Sequence, residues 1–281
     1  MIDSGIGPDE EALTLTLAQH RVEAADVRGN VDRAVGSIER AADEGADIVA
    51  LPELFNVGYF AFDSYAREAE PLDGPTLERI SAAAAEHEVA VQAGSIVEDL
   101  EASADAGVET PTAEGLANAA VFFDRSGKRR GVYRKHHLFG YDSAETRLLT
   151  AGQALPTVEF EGFTVAMTTC YDLRFPELYR RLAEEDVSLV LVPSAWPYPR
   201  IEHWKTLPRA RAIENLTYVA AANGSGEMDG DQLVGRSTVY DPWGTPLASS
   251  DDDPALVTAE ISPSRVEAVR EEFPALRDRR E

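Results

Sequence analysis

The chain has 281 residues, of which 44% are hydrophobic, and its 50 acidic and 26 basic residues give a net charge of −24. This length suits one large domain or two ordinary ones, and no apolar run approaches the roughly 18 residues that a membrane span needs. Affinity for nucleic acid comes from basic patches, which this composition disfavours. We therefore expect a globular protein that binds neither nucleic acid nor membrane.

Lysine is rare in this sequence, with only Lys128, Lys135 and Lys205 among the basic residues. A lysine-poor acidic surface suits concentrated salt, which screens the repulsion between like charges. We infer a halophilic origin, with solubility alone as the alternative. The single cysteine, Cys170, excludes an internal disulfide and favours a reducing compartment, the cytoplasm. Residues 1–11 lack the basic and apolar regions of a secretory signal and are expected to form a polar tail.

Strand-like and helix-like segments alternate along the first half of the chain. Residues 12–19 alternate with period two and predict a strand, whereas the apolar spacing from Val31 to Ala42 predicts a helix that Gly45 stops. Further predictions are a strand over 47–53, a helix after Pro75, a strand over 89–98, a solvated acidic loop over 98–114, and a strand–turn–strand over 116–139.

The second half of the chain continues in the same way. We expect a hairpin about Gly162, a helix over 176–185, a strand over 187–196, a helix over 207–216, a strand over 217–223, a flexible loop over 223–230, a hairpin over 237–250 and a helix over 264–273. Mixed strands and helices without an internal break favour an α/β fold. The predicted organisation is a single domain over 12–270 followed by a charged tail over 271–281.

Cys170 is the first candidate for chemistry. It ends a strand and precedes a polar turn, and side chains in that position reach the edge of a sheet where α/β active sites gather. The alternative is an inert buried thiol. A free thiol has a pKa of about 8.5, so a nucleophilic cysteine needs a base, a nearby cation, or both.

Histidine is the usual base, but the adjacent pair His136 and His137 would point to opposite faces of a strand. No metal-binding pattern such as H-E-x-x-H is present, so we expect no metal. Two other strand ends carry charge. Glu53 follows a buried strand and Lys135 lies among aromatic and aliphatic residues, although a helix N-terminal charge and a snorkelling lysine are the alternatives.

The segments LPELF, YRKHHLF and TCYDLRFPELYR, in this order, resemble the glutamate, lysine and cysteine motifs of the nitrilase (carbon–nitrogen hydrolase) superfamily. PSAW, HWKTLPRARAIEN, YVAAAN and GRSTVYDPWG extend the resemblance over nearly the whole chain. The motifs are most similar to the amidase-like branch that includes ω-amidases and Nit proteins. The resemblance implies a four-layer α-β-β-α sandwich, and a homodimer or larger assembly formed through the helices over 176–182 and 209–215.

The resemblance also implies a catalytic triad of Glu53, Lys135 and Cys170. A second glutamate is expected between the lysine and the cysteine, and Glu145 matches that place better than Glu159 or Glu161, which lie in a hairpin. Pro208 departs from the pattern, because it lies where an unbroken helix is expected; the helix either starts just before it or kinks there.

These residue types suffice to hydrolyse an amide without a cofactor. Cys170 would attack the carbonyl carbon, and the oxyanion would be stabilised by the Lys135 ammonium and the backbone N–H of Tyr171. Glu53 would move the proton from the thiol to the departing nitrogen and then activate water. We expect burial to raise the pKa of Glu53 and the charge of Lys135 to lower the pKa of Cys170.

Three residues that follow the key strand ends are candidates for the substrate pocket: Tyr59, Arg174 and Trp196. By resemblance, Arg174 would pair with a distal carboxylate, which favours monoamides of dicarboxylic acids such as α-ketoglutaramate or succinamate. The alternative is a structural ion pair with Asp172 or Glu177. Trp196 could equally belong to the core or to an interface.

The sequence is therefore compatible with four functions. The first is hydrolysis of a small linear amide, and the same triad would also serve an N-carbamoyl amino acid amidohydrolase or a nitrilase. The fourth is a binding or assembly subunit without activity, which would have little need for all three triad residues.

The halophilic interpretation predicts a salt-dependent stability. We expect the melting temperature to rise by at least about 5 °C between about 0.1 M and about 2 M KCl, because the Debye length falls from about 10 Å to below about 3 Å. Calorimetry over a KCl series measures this, with a protein of balanced charge as the control. A flat or falling melting temperature contradicts the interpretation.

Overall fold

The computed structural model describes residues 12–140 and 143–280, so the expected N-terminal tail lies outside the described residues. The strands are β1 (Leu13–Gln19), β2 (Ile48–Ala50), β3 (Ala90–Gln92), β4 (Ile96–Asp99), β5 (Leu116–Phe123), β6 (Arg129–Arg134), β7 (Thr157–Phe160), β8 (Phe163–Met167), β9 (Leu189–Ser194), β10 (Tyr218–Asn223), β11 (Glu227–Met228), β12 (Asp231–Gln232), β13 (Thr238–Tyr240), β14 (Pro246–Ser249) and β15 (Ala255–Ile261). The helices are α1 (Val27–Asp43), α2 (Tyr65–Glu68), α3 (Pro75–Glu86), α4 (Leu100–Asp105), α5 (Ala144–Leu148), α6 (Pro176–Glu184), α7 (Ile201–Asn215) and α8 (Pro263–Glu272).

Two sheets carry most of these strands. The first has seven strands in the order β15-β1-β2-β3-β5-β4, with β6 paired to β5 outside this order. The second has six strands in the order β14-β13-β10-β9-β8-β7. In the first sheet β1, β2 and β3 run parallel, and in the second β8, β9 and β10 run parallel. Parallel strands need crossovers, and α1, α3, α6 and α7 provide them.

The two sheets face each other, and helices cover their outer faces. One hydrophobic cluster lies between the sheets and joins Leu15 and Phe122 of the first to Phe163 and Leu191 of the second. Separate clusters pack α1 and α3 on the first sheet, and α6 and α7 on the second. Burial of each large side chain contributes roughly 1.5–3 kcal/mol, so both faces of each sheet are stabilised. The expected α-β-β-α sandwich is the observed fold.

The chain between β3 and β4 differs from its prediction as one strand over 89–98. Gly94 interrupts it, with a φ of +44°. A Cβ at Gly94 would lie 1.9 Å from the carbonyl oxygen of Pro52, so only glycine permits this approach. The loop expected over 98–114 was also wrong in part, because α4 begins there, capped by the side chain of Asp99.

Three features of the second half were missed. Strand β15 pairs with the whole of β1, and the loop expected over 223–230 contains β11, which forms a hairpin with β12 just beyond it. Helix α7 starts seven residues before Pro208 and continues through it, so the expectation of a start just before Pro208 was wrong.

The loop after β2 meets the end of β9, which brings the two sheets together at one end of the sandwich. The backbone N–H of Glu53 donates to the carbonyl of Ser194 at 3.4 Å. The segments that follow β6 and β8 reach the same end, since the side chains of Lys135 and Cys170 both contact Glu53. This convergence places residues from four chain segments around one point.

No helix among the described residues is long and apolar enough to cross a membrane. On α7, Ile213 is 47% exposed. An exposed isoleucine on a helix expected to lie at an interface accords with the predicted assembly, which stays a prediction.

His20 is a buried titratable group outside the site described below. Burial, followed by the charges of Arg33 and Arg40, lowers its pKa from 6.5 to about 4. Since the folded-state pKa lies below the unfolded value, folding disfavours the protonated form. The resulting stability is complete above pH 6.5 and is lost as the pH falls towards 4.

We expect the free energy of unfolding to fall by about 2.5 kcal/mol more in the wild type than in His20→Gln between about pH 7.5 and about pH 4.5. Urea titrations at the two pH values measure the difference. His87→Gln, at a partly exposed position at the end of α3, is the matched control and should behave as the wild type does. Equal pH dependence in wild type and His20→Gln contradicts the assignment.

Candidate active site

The Lys135 ammonium is the centre of the site. Its side chain is fully buried, and Nζ donates to Oε1 of Glu53 at 2.8 Å and to Oε1 and Oε2 of Glu145 at 2.8 and 3.1 Å. Nζ also lies 5.2 Å from the centre of the Tyr59 ring. A buried ammonium is costly unless it is paired, and here two carboxylates pair with it.

The backbone on both sides of Lys135 is fixed. Its N–H donates to the carbonyl of Asn118 at 2.9 Å, which continues the β5–β6 ladder, and its carbonyl accepts from Gly152 at 2.9 Å. A Cβ at Gly152 would lie 2.0 Å from the carbonyl oxygen of Arg134, so the strand end can be approached this closely only by glycine. The lysine therefore enters the site from a rigid anchor.

Glu53 lies in the turn after β2 and is 1% exposed. Its Oε1 accepts from Lys135 and, at 2.9 Å, from Nδ2 of Asn118, while Oε2 accepts from the backbone N–H of Ala195 at 3.0 Å. The next residue, Leu54, has a φ of +45° and donates its N–H to Oγ of Ser95. These contacts hold the carboxylate in one orientation.

Glu145 is presented by the short helix α5, whose N-cap is Ser143. Besides Lys135, its Oε2 accepts from the Tyr59 hydroxyl at 2.9 Å and from the Phe139 backbone N–H at 2.5 Å. Three donors on a fully buried carboxylate hold it in an orientation that faces Lys135. The second glutamate expected from the sequence thus lies against the lysine.

Cys170 begins a 3₁₀ turn, Cys170–Arg174, directly after β8. Its φ is +45°, a left-handed conformation that costs a non-glycine residue about 1–3 kcal/mol. The sharp turn puts the thiol beside the Glu53 carboxylate and the Ala195 backbone N–H, at 9% exposure. Sulfur, ammonium and carboxylate therefore converge as the three motifs predict.

Asp172 ties the cysteine turn to the lysine segment. Its buried carboxylate accepts from the Thr169 N–H at 2.9 Å, from the Tyr133 hydroxyl at 2.6 Å and from the His137 N–H at 2.9 Å. The ring Nδ1 of His137 lies 2.8 Å from the same carboxylate. Contacts on both sides of Lys135 and just before Cys170 fix the distance between the two segments.

The charges of this cluster depend on burial. Burial acts to lower the pKa of Lys135, but the charges of Glu145 and Glu53 outweigh it and hold that pKa well above its usual value. Burial raises the pKa of Glu53, as expected, and Lys135 offsets part of this rise.

Burial also raises the pKa of Cys170 well above its usual value, and the charge of Glu53 adds to the effect. Lys135 does lower it, as the sequence analysis expected, but the net shift is the opposite of that expectation. Burial and the charge of Glu53 therefore favour the neutral thiol in this site.

Cys170 lies in a cavity that holds about 340 Å³ of space including its open mouth. A cavity of this volume suits a small molecule. The predicted pocket residues all line it: Tyr59, Tyr171, Arg174 and Trp196. Trp196 is also part of the core around α6 and α7, so it belongs to both the pocket and the core.

Arg174 makes neither ion pair that the sequence left open. Asp172 is occupied by Tyr133 and His137, and among the described residues no carboxylate pairs with the Arg174 guanidinium. The guanidinium instead lies 4.9 Å from the Trp196 ring centre, and Nη2 is 3.2 Å from Nδ1 of His203. It remains available to a ligand.

Asn118 and Ala195 are site residues that sequence reasoning missed. Asn118 gave a signal, since it is a lone polar residue in the apolar strand LANAAVFF, and a buried amide in such a strand needs a polar partner. Ala195 acts through its backbone N–H, which no side-chain pattern reveals. Among the described residues, no cluster of His, Cys, Asp and Glu could hold a metal ion.

Comparison with known proteins decides the family. The family model for carbon-nitrogen hydrolases matches residues 14–271. The chain belongs to the carbon–nitrogen hydrolase family. It is therefore an enzyme that acts on C–N bonds, and the resemblance inferred from its three motifs is confirmed.

Named relatives of this carbon–nitrogen hydrolase are amidases. A 2-oxoglutaramate amidase of Paenarthrobacter nicotinovorans is 36% identical over 239 residues, covering 84% of this chain and 79% of the relative. The omega-amidase NIT2 of Homo sapiens is 33% identical over 261 residues, covering 89% of each.

A solved structure extends the comparison to the nucleophile. It is a mutant of the amidase from Nesterenkonia sp. AN1, with the acetamide moiety of fluoroacetamide covalently added at the active-site cysteine. It is 29% identical to this chain, with a TM-score of 0.82 over 99% of this chain and 97% of that one. The similarity confirms the predicted fold class.

The position of Glu145 predicts its effect on activity. Glu145→Gln should lower kcat by about 10²-fold or more, because the ammonium then loses one of its two carboxylates. The charge of Glu145 also raises the pKa of Glu53, so the acid limb of the pH–rate profile should move to lower pH. Ammonia release across a pH series measures both.

Glu159→Gln is the matched control, since Glu159 is an exposed glutamate in the β7–β8 hairpin. Its kcat and pH profile should equal those of the wild type. Turnover near wild type in Glu145→Gln, or a lower rate with an unmoved acid limb, contradicts an electrostatic role for Glu145.

Proposed function

We propose that this enzyme hydrolyses a small linear amide to a carboxylic acid and ammonia through a thioester on Cys170, with ω-amidase-like specificity. The observation that carries the proposal is the Lys135 ammonium, buried between Glu53 and Glu145 beside the only cysteine of the chain. The covalent adduct at the cysteine of the Nesterenkonia amidase supports the same role for Cys170.

In the first half-reaction, the thiol of Cys170 gives its proton to Glu53 as sulfur bonds to the carbonyl carbon. The raised pKa of the buried Glu53 carboxyl makes it a better proton acceptor than a free glutamate. The carbonyl oxygen becomes an oxyanion, which Lys135 and the backbone N–H of Tyr171 stabilise. Tyr171 lies in the first turn of a 3₁₀ segment, where an N–H has no partner within the turn.

The first half-reaction is complete when Glu53 protonates the amide nitrogen, the C–N bond breaks and ammonia leaves a thioester on Cys170. In the second half-reaction, water gives a proton to Glu53 and attacks the thioester carbon. Collapse of this second oxyanion breaks the C–S bond, and the proton returns from Glu53 to sulfur. The carboxylic acid is released and Cys170 is regenerated without a cofactor.

The substrate class follows from the relatives and from Arg174. The relatives named 2-oxoglutaramate amidase and omega-amidase support a monoamide of a dicarboxylic acid as substrate. Arg174 lines the cavity without a carboxylate partner among the described residues, so it is free to bind the distal carboxylate. We further propose assembly through α6 and α7, and a cytoplasmic, high-salt setting, for which Ile213 and the charge of −24 are the supporting observations.

An ammonia-release assay over three substrate classes tests the function: succinamate and 2-oxoglutaramate, an N-carbamoyl amino acid, and a nitrile of matched length. We expect the two amides to be hydrolysed at least about 100-fold faster, as kcat/KM, than the others. Cys170→Ala should abolish release, by at least about 10³-fold, because the nucleophile is lost.

Carbon dioxide measured beside ammonia identifies the carbamoylase alternative, and preferential cleavage of the nitrile identifies the nitrilase. The remaining possibility, an assembly subunit, would release no ammonia from any substrate.

A further inference from the structure

A second guanidinium, that of Arg200, lines the cavity with Arg174. Other arginines of this protein do pair with carboxylates: Arg125 lies 2.7 Å from Asp47, and Arg134 lies 2.6 Å from Glu98. Among the described residues, no carboxylate lies within ion-pairing distance of Arg200 or Arg174. Both guanidiniums at this cavity are therefore free of an ion pair with a described carboxylate.

Trp196 contacts both arginines. The indole Nε1 donates to the carbonyl of Arg200 at 3.0 Å, and the ring face carries the Arg174 guanidinium at 4.9 Å. Trp196 is itself fixed, being 3% exposed, with its backbone N–H donating to Oδ1 of Asn223 at 2.7 Å. The buried Trp196 side chain therefore holds the backbone of Arg200 and the guanidinium of Arg174.

Aromatic rings hold the two guanidiniums in place of acids. Arg200 lies 5.2 Å from the ring centre of Phe139, and Arg174 lies 5.6 Å from that of Tyr171. A guanidinium over an aromatic ring keeps N–H groups free to donate, whereas an ion pair would occupy them. Two such groups can bind one carboxylate by charge-assisted hydrogen bonds.

We propose that Arg200 is a specificity-determining residue, which binds the distal carboxylate of the substrate together with Arg174. Cys170 and both arginines line the same narrow cavity, so an amide at the thiol would extend its other end towards the guanidiniums. The site thereby selects monoamides of short dicarboxylic acids over neutral amides of equal length. This inference rests on the proposed function, and it adds a residue to which neither the motifs nor the relatives point.

Kinetics with a matched pair of amides test the role of Arg200. Succinamate and butyramide have the same chain length and differ by the distal carboxylate. Arg200→Gln should lower kcat/KM for succinamate by about 10- to 100-fold, mainly through KM, and change that for butyramide by less than about threefold. Arg28→Gln, which removes one charge from an exposed position on α1, is the matched control and should alter neither value.

A charge exchange gives the complementary result. Arg200→Glu should gain activity towards 4-aminobutyramide, whose distal group is a cation, while losing it towards succinamate. Equal losses on succinamate and butyramide in Arg200→Gln would show a structural role and overturn the proposal. Unchanged kinetics on both amides would overturn it as well.

Binding of succinate keeps this inference separable from the proposed function. Calorimetric titration of succinate into Cys170→Ala protein should give a Kd at least about tenfold weaker when Arg200→Gln is added. If no amide is hydrolysed but succinate binding depends on Arg200, the carboxylate site stands and the proposed function fails. If amides are hydrolysed but the Kd for succinate does not depend on Arg200, the proposed function stands and this inference fails.

Discussion

The structure of the site depends on one constraint, the burial of a positive charge at Lys135. An ammonium without water needs negative partners, and Glu53 and Glu145 supply them from two distant parts of the chain. Each partner is then held by further donors: Asn118 and Ala195 on Glu53, and the Tyr59 hydroxyl and Phe139 N–H on Glu145. The chain must therefore bring the two sheets, α5 and the turn after β2 together before the charges balance. The geometry of the site and the packing of the two sheets against each other therefore depend on the same contacts.

A second buried charge, Asp172, performs the corresponding task for the nucleophile. It joins Thr169, just before Cys170, to Tyr133 and His137 on either side of Lys135. Because Cys170 has a left-handed backbone conformation, its turn stores strain that neighbouring contacts must offset. The carboxylate of Asp172 provides such contacts from within the turn. The backbone of the turn thus sets the position of the thiol, whereas the neighbouring Glu53 carboxylate affects its pKa. Different residues therefore control the position and the pKa of Cys170.

The sequence predicted most of this architecture because its signals were local. Period-two alternation identified β1, helical spacing identified α1, and three ordered motifs identified the family and the residues that the structure brings together. What it missed depended on distant contacts. Strand β15 is defined by pairing with β1, and the break at Gly94 by the approach of Pro52. Ala195 acts through its backbone, and the direction of the Cys170 pKa shift is decided by burial, which depends on the packing of the whole chain. Such effects are properties of the assembled fold, not of a segment.

The distribution of the few cations connects the acidic composition to the site. Of the three lysines, Lys128 and Lys205 lie in a turn and on an exposed helix face, and Lys135 alone is buried. A negative protein repels an anionic substrate at long range, and salt screens that repulsion over a Debye length of about 10 Å or less. Screening is much weaker inside a narrow cavity, so attraction there must come from fixed charges. The charge of Lys135 is balanced by two glutamates, whereas Arg174 and Arg200 line the cavity without an ion pair to a described carboxylate. The proposed high-salt setting and the proposed carboxylate site are complementary, because salt would screen the distant repulsion while the guanidiniums would supply the local attraction.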